Sequence, residues 1–555
     1  MINLTVAKPM KVSGRYSVFV TFSFRQDIVN YLKSFRVSYY HPELKAWELP
    51  LLELADMIDY FSHIDDVELK VLEYDDEREE HELTQDYKLK LSKYQEEGIK
   101  YGLGSDKWLL LDEMGLGKTA QMIGLARELK AQRGISHCLV ICCVNTLKTN
   151  WKREIEKHSD ETCVILGERV TSTGSVVYDS IEKRAEQLKN PIDEFFIITN
   201  IESFRDERMI KAFKKSKNKI DMIVVDECHK CKDSESQQGK GLLKLDAKYK
   251  IGLTGTPMLN KPTDLFVPLK WTDNDSATLG TFEAQYCVYG GVSGHEVVGY
   301  KNLDLLKDEL DCCSLRRTKD LLDLPEKTVI NEIVDMNDDQ ARFYSDVCNG
   351  LKREVDKVRL HPNNLLSMIT RLRQATVCPT ILTTNNIKSS KVERCIDLIE
   401  QIIAQGDKVV VMSTFKEPLS IIADRLKDYK PLLCTGDVKD YEIERNITQF
   451  QGNPNSKIML CTWQRMGTGV TLTAASYMIH LDTAYTSALF EQTCDRIHRI
   501  GQKNPVFIYN LICKDTVDET VAELVARKKA LSDFVVDDKL DDESFQVLSR
   551  YVLGL

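Results

Sequence analysis

The stretch LLLDEMGLGKTAQMI, Leu109 to Ile123, is an apolar run, a glycine-bearing turn and the start of a helix-forming segment. A phosphate-binding loop needs that order. Gly115 and Gly117 let backbone amides approach phosphate oxygens, and the following helix N-terminus adds a dipole that favours an anion. Lys118 has the reach for the β- and γ-phosphates of ATP, and the Thr119 hydroxyl suits magnesium. One position departs from the common pattern, in which a glycine stands five residues before the second glycine: here it is Asp112.

A phosphate loop works with an acidic partner on a neighbouring strand. MIVVDECH supplies one, with Asp226 and Glu227 at the end of an apolar run, where a parallel sheet places its chemistry. Asp226 is the candidate magnesium holder. Glu227 is the candidate for orienting or deprotonating the attacking water, since phosphoryl transfer is largely positioning and charge neutralisation. Around these motifs, short β-rich runs (WLLLDE, HCLVICCV, FFIITN, YKIGLTG) alternate with helical patterns, which predicts a parallel sheet covered on both faces.

The chain of 555 residues is too long for one core. Its net charge of −10 argues against coating nucleic acid by overall charge, but a local basic groove is still compatible with it. No apolar run approaches the length that spans a bilayer, and MINLTVAKPMKVSG does not read as a secretory signal. The sixteen cysteines are scattered, several within apolar runs, as expected of buried free thiols in a reducing compartment. An intracellular protein is therefore expected, cytoplasmic if bacterial or phage-encoded. CHKC, Cys228 to Cys231, lacks a second Cys or His pair at zinc-like spacing, and KAFKKSKNK reads as a solvated face.

Residues 1–72 read as a small α/β unit: YSVFVTF and KAWELP as strands, DIVNYLKSF as a helix, and LLELADMIDYF as a helix with Leu51, Leu54, Ile58 and Phe61 on one face. An acidic linker is expected over 73–87, a first lobe over 88–270, and a polar, mostly helical insert and connector without clear strands over 271–390. Strands return in KVVVMST, PLLCTG, KIMLCT, SYMIHLD and VFIYNLI, which predicts a second lobe over 391–531 before a tail over 532–555. Near its end, FEQTCDRIHRIGQK carries Arg496 and Arg499 three apart, on one face if the segment is helical. Two guanidiniums there could stabilise charge on the transferred γ-phosphoryl.

DEMGLGKT, DECH and LTGTP (Leu253 to Pro257), in that order, resemble the first motor lobe of superfamily-two helicases, in the wording of the Swi/Snf-type DNA translocases. That branch also lacks the strict first glycine. The resemblance extends through LSKYQEEG, NTLKTNWKREIEKH, SLRRTKDLLDLPEKT, RLRQATVCP, TWQRMGTGVTLTAA and the sixth motif from Gln492 to Gln502, with Asp495 and His498, and so covers roughly Lys88 to Leu531. It implies an α/β fold of two tandem RecA-like parallel-sheet lobes with a helical insert and the small N-terminal α/β domain. It also implies an ATP- and Mg2+-dependent, DNA-dependent ATPase. In it Gln95 reads the adenine edge, Trp151 stands in its usual place, and Thr254 and Thr256 link hydrolysis to movement. Gly467 and Gly469 let backbone approach nucleotide or DNA phosphate, although Arg465 and Met466 replace the usual alanine and first glycine of that motif.

The implied partner is double-stranded or branched DNA, gripped through phosphates by a monomeric motor, with no membrane role. YLKSFRVSYYHPELKAWELPLLELADMI resembles the HARP domain of annealing helicases, with Tyr40, Pro42 and Trp47 at its spacing, which implies engagement of forked DNA. A generic accessory module reads the same residues equally well. A strand-separating helicase and a nucleotide-gated DNA-binding scaffold stay open as alternatives.

Overall fold

The computed structural model describes residues 2–523 except 8–16, 36, 51–52, 65–68, 74–80, 89, 144–146, 171–175, 259–260, 276–277, 291–295, 356–361, 467–469, 485–486 and 520. Residues 74–80 of the expected acidic linker thus lie outside the described residues, and the expected tail wholly so. The described chain falls into two compact units that divide between Thr318 and Lys319.

At the N-terminus, strands Ile2–Ala7, Ser17–Phe22, Tyr39–His41, Ala46–Pro50 and Leu69–Glu73 form a five-stranded sheet. Alternation along Ser17–Phe22 sends Val18 and Val20 into a core shared with Ile28 and Leu32 of helix Gln26–Ser34. Helix Leu54–Ser62 adds fully buried Met57 and Phe61, with Leu54 and Ile58 packed at the margin. Leu51, expected on the same face, lies outside the described residues. Tyr40 is exposed, with its ring tilted against Trp47 at 5.4 Å.

The first α/β core is a seven-stranded parallel sheet in the order Ser314–Leu315, Lys107–Leu110, Tyr249–Leu253, Ile220–Asp226, His137–Cys142, Phe196–Asn200, Cys163–Ile165. Its middle strands are buried along their lengths, which is why they read as continuous apolar runs. Because the strands are parallel, the segments after Leu110, Asp226 and Leu253 all leave from one edge of the sheet. The second unit is built on a six-stranded parallel sheet in the order Lys327–Val334, Val506–Cys513, Tyr477–His480, Val409–Ser413, Ile458–Thr462, Leu432–Cys434. Val409 and Val411 pack on one face and Val410 and Met412 on the other.

The reading of 271–390 as free of clear strands is corrected by the structure. Cys287–Gly290 pairs with Glu296–Tyr300, Ser314–Leu315 joins the first sheet, and Lys327–Val334 joins the second. Lys327–Val334 is an edge strand with Val329 and Ile333 exposed, so it has no buried apolar run to announce it. Ser314–Leu315 is too short to show any period.

Candidate nucleotide site

Strand Lys107–Leu110 delivers the loop, and helix Lys118–Arg133 follows it. Gly115 and Gly117 have φ of 90° and 74°, in the left-handed region that a side chain would strain. The Lys118 ammonium donates to the carbonyls of Asp112 at 2.7 Å and Glu113 at 3.2 Å, folding back over the loop. Burial pulls its pKa below the lysine range, against the pull of Glu227, Asp112 and Asp226. A Cβ on Gly255, within LTGTP, would stand 2.8 Å from Met114 Cγ and 3.3 Å from Lys118 Nζ, so that turn closes directly on the loop.

Asp112, at the position of the absent glycine, is fully buried. Arg317 holds it in a fork, Nε to Oδ1 at 2.9 Å and Nη2 to Oδ2 at 2.5 Å, and Gln121 Nε2 donates to Oδ2 at 3.0 Å. Gln95 is tied into the same region: its Oε1 accepts from Ser92 N at 3.0 Å and its Nε2 donates to the Leu116 carbonyl at 3.3 Å. A Cβ on Gly117 would stand 2.4 Å from Gln95 Nε2, so glycine there also makes room for this bond.

Asp226 ends the strand Ile220–Asp226. The indole of fully buried Trp151 donates to its Oδ2 at 2.8 Å, a positioning role that sequence alone did not assign to Trp151. Burial and then the charge of Glu227 push the Asp226 carboxyl up to about 6, against the Trp151 bond and Lys118. Glu227 turns the chain with φ 56°, ψ 46°, a left-handed conformation that is strained without glycine. Burial would raise its carboxyl, but His229, Lys118 and Lys230 together hold it below the usual glutamate range. His229 Nδ1 lies 3.2 Å from Glu227 Oε2 and 2.9 Å from Thr254 Oγ1. Geometry makes the second contact the hydrogen bond, which leaves Glu227 Oε2 buried without one. Thr254 Oγ1 also accepts from Thr256 N at 3.0 Å, while Thr256 Oγ1 is buried and unbonded.

An aspartate pushed up to about 6 carries a stability consequence. Above pH 6 the fold holds a carboxylate that the unfolded chain would hold more easily, and the penalty is relieved as pH falls from 6 toward 4. Asp226→Asn is expected to stabilise the nucleotide-free protein at pH 7 by about 1–2 kcal/mol, less than the full shift because the carboxyl is partly solvated. Urea melts at pH 7 and 4.5 check this: the gain should be present in full in the first and fall to about a third in the second.

In the second unit, helix Ser487–Cys494 ends before both candidate arginines, so no helical face presents them together. The chain continues in tight turns, with Ile497 N and His498 N both donating to the Cys494 carbonyl. Arg496 is buried and its carbonyl accepts from Leu472 N at 2.7 Å. Arg499 Nη1 donates to Thr471 Oγ1 at 3.0 Å. Gln502 braces the turn through the carbonyls of Thr473, Ala475 and Ile497. Gly467 and Gly469 lie outside the described residues.

All sixteen cysteines are free thiols. Cys143 and Cys231 approach at 3.5 Å between sulfurs, and among the described residues no His, Cys, Asp and Glu group could hold a metal ion unaided. No described helix is long and apolar enough to cross a membrane.

The family described as the SNF2-related domain matches residues 94–381, and the helicase conserved C-terminal domain matches residues 390–501. The first match covers more than half of the sequence, and the chain belongs to the SNF2-related family. It is 27% identical over 438 residues to an uncharacterized ATP-dependent helicase, MG018, of Mycoplasma genitalium, covering 76% of this chain and 40% of the relative. It is 26% identical over 482 residues to the DNA repair and recombination protein RDH54 of Saccharomyces cerevisiae, covering 78% of this chain and 51% of that protein. The SWI2/SNF2 ATPase core of Sulfolobus solfataricus in complex with dsDNA is 25% identical, covering 86% of this chain and all of that one, with a TM-score of 0.37. The chain spans about two fifths of the length of the Mycoplasma relatives it matches.

Proposed function

We propose that this chain is an ATP-dependent translocase on double-stranded DNA. The observation that carries the hydrolytic part is the strand-end pair Asp226 and Glu227. One is steered by Trp151, and the other keeps a buried oxygen free of hydrogen bonds beside Lys118. Membership of the SNF2-related family supports duplex DNA as the track. The relatives named as ATP-dependent helicase and as DNA repair and recombination protein fit the same reading.

In this reading the loop amides around Gly115 and Gly117 and the Lys118 ammonium bind the phosphates. Gln95 sits against the loop on the adenine side. A hydroxyl and a carboxylate are hard oxygen donors of the kind that suits Mg2+, so Thr119 and Asp226 would hold it. Bound there, Mg2+ would neutralise charge on the phosphate oxygens. Glu227 orients the attacking water and takes its proton. Arg496 and Arg499 supply guanidiniums to the γ-phosphoryl. His229 and Thr254 relay changes at Glu227 to the LTGTP turn through their hydrogen bond. The motor acts as a monomer.

The test is ATP turnover with no DNA, single strands, plain duplex and forks, followed by triplex displacement and fork unwinding. Duplex-stimulated turnover with triplex displacement supports the translocase. Fork unwinding without triplex displacement assigns a strand-separating helicase, and turnover indifferent to DNA defeats both. We further propose that the N-terminal sheet unit, HARP-like in sequence, engages branched DNA. Removing the residues before Leu83 is expected to weaken activity on forks more than on plain duplex; equal loss on both removes that role.

A further inference from the structure

The last residues of the first unit and the first of the second carry consecutive charged side chains, Arg316, Arg317 and, after Thr318, Lys319. Each is fastened to a motif of its own unit. On the first side, Leu111 N donates to the Leu315 carbonyl at 2.8 Å and Glu113 N to the Arg317 carbonyl at 2.9 Å, which zips this segment along the nucleotide loop. Arg316 Nη1 donates to the carbonyls of Leu111 and, at 3.2 Å, Gly255. Arg317 forks onto Asp112, donates to Gln121 Oε1 at 2.6 Å and to the Tyr94 carbonyl, and lies 5.3 Å over the Tyr94 ring. One guanidinium therefore touches the adenine-side helix, the loop and the helix after the loop.

On the other side, Lys319 is ion-paired with Asp495 and reaches the His498 carbonyl at 3.5 Å. Asp495 and His498 bracket Arg496 and lie just before Arg499. The following residues repeat the attachment: the Pro325 carbonyl meets His498 Nε2 at 2.8 Å, and Lys327 pairs with Glu491 at 2.9 Å. The connector is thus clamped at both ends to segments that carry candidate catalytic groups, with Thr318 alone between the clamps.

We propose that Arg317 and Lys319 are paired positioning residues: through one intervening residue they tie the setting of the nucleotide loop to that of the turn bearing Arg496 and Arg499. This explains why a buried aspartate replaces the loop's first glycine. The Asp112 carboxylate is the socket for the connector's arginine. The inference rests on the ATPase reading above and deepens it. A connector of this kind transmits movement only while it is short and anchored at both ends. Lengthening it leaves every side-chain anchor in place and removes the transmission.

The experiment inserts two glycines after Thr318 in the full chain and, separately, makes Lys319→Ala and Lys319→Arg. Fluorescent ATP-analogue binding, duplex-stimulated kcat and KM, and melting are measured for each. The insertion and Lys319→Ala are expected to bind the analogue within about twofold of the parent and to lose at least tenfold in stimulated kcat. Lys319→Arg, which keeps the charge opposite Asp495, is expected to recover most of it. A parent protein whose turnover ignores DNA defeats the translocase reading itself. A stimulated parent whose insertion variant keeps its full kcat overturns the coupling. So does equal loss in Lys319→Ala and Lys319→Arg with unchanged melting.

Discussion

Lys118→Ala is expected to lower DNA-stimulated ATP hydrolysis by about 10²–10³-fold and to weaken nucleotide binding as well, the scale on which one preorganised donor to a developing charge contributes. The ammonium is held in place by the carbonyls of Asp112 and Glu113 and backed by Gly255. It costs little reorganisation to exchange those carbonyls for phosphate oxygens, because its lowered pKa reflects a site short of solvent rather than short of negative charge. Alanine removes both the ground-state contact and the charge that meets the leaving phosphates, so KM should rise while kcat falls. Turnover and analogue binding measured side by side decide the assignment, and undiminished turnover would refute it. The buried position makes Lys118→Arg a poor substitute: the larger fork cannot enter against Met114 and Gly255.

The groups on the first sheet's edge were legible because their order along the chain, strand then turn then helix, survives into the fold. Lys118, Asp226 and Glu227 all emerge from the edge that the apolar runs predict. What holds those groups was not legible. Asp112 and Arg317 are 205 residues apart, and Trp151 and Asp226 are 75 apart, so neither pairing leaves a local pattern. Asp112 looked like a defect in a signature because its partner comes from the connector. The arginine spacing misled in a different way. A three-residue interval fits a helix, but the helix stops at Cys494 and the chain carries both arginines in the tight turns after it. The strand Lys327–Val334 escaped because an edge strand exposes one of its faces and so loses the continuous apolar run by which the buried strands announce themselves.

Arg499→Ala is expected to show the largest loss in turnover with the least loss in nucleotide binding, about 10³-fold or more in stimulated kcat, as an arginine finger contributes. Its setting argues for a group held ready rather than one buried for structure. Arg496 is buried and its backbone ties the turn to Leu472, whereas Arg499 is half-buried and its Nη1 donates to the Thr471 hydroxyl. The turn itself should survive the substitution, because Gln502 fixes it through three carbonyls and Lys319 through Asp495. Melting is therefore expected to change little, and analogue affinity to stay near that of the parent protein. Arg499→Lys should fail almost as badly, since a point charge does not reproduce a planar fork between oxygens. A variant that binds, melts normally and still hydrolyses at the parent rate would remove Arg499 from the reaction. One that loses binding and turnover together would instead make it a ground-state phosphate contact like Lys118.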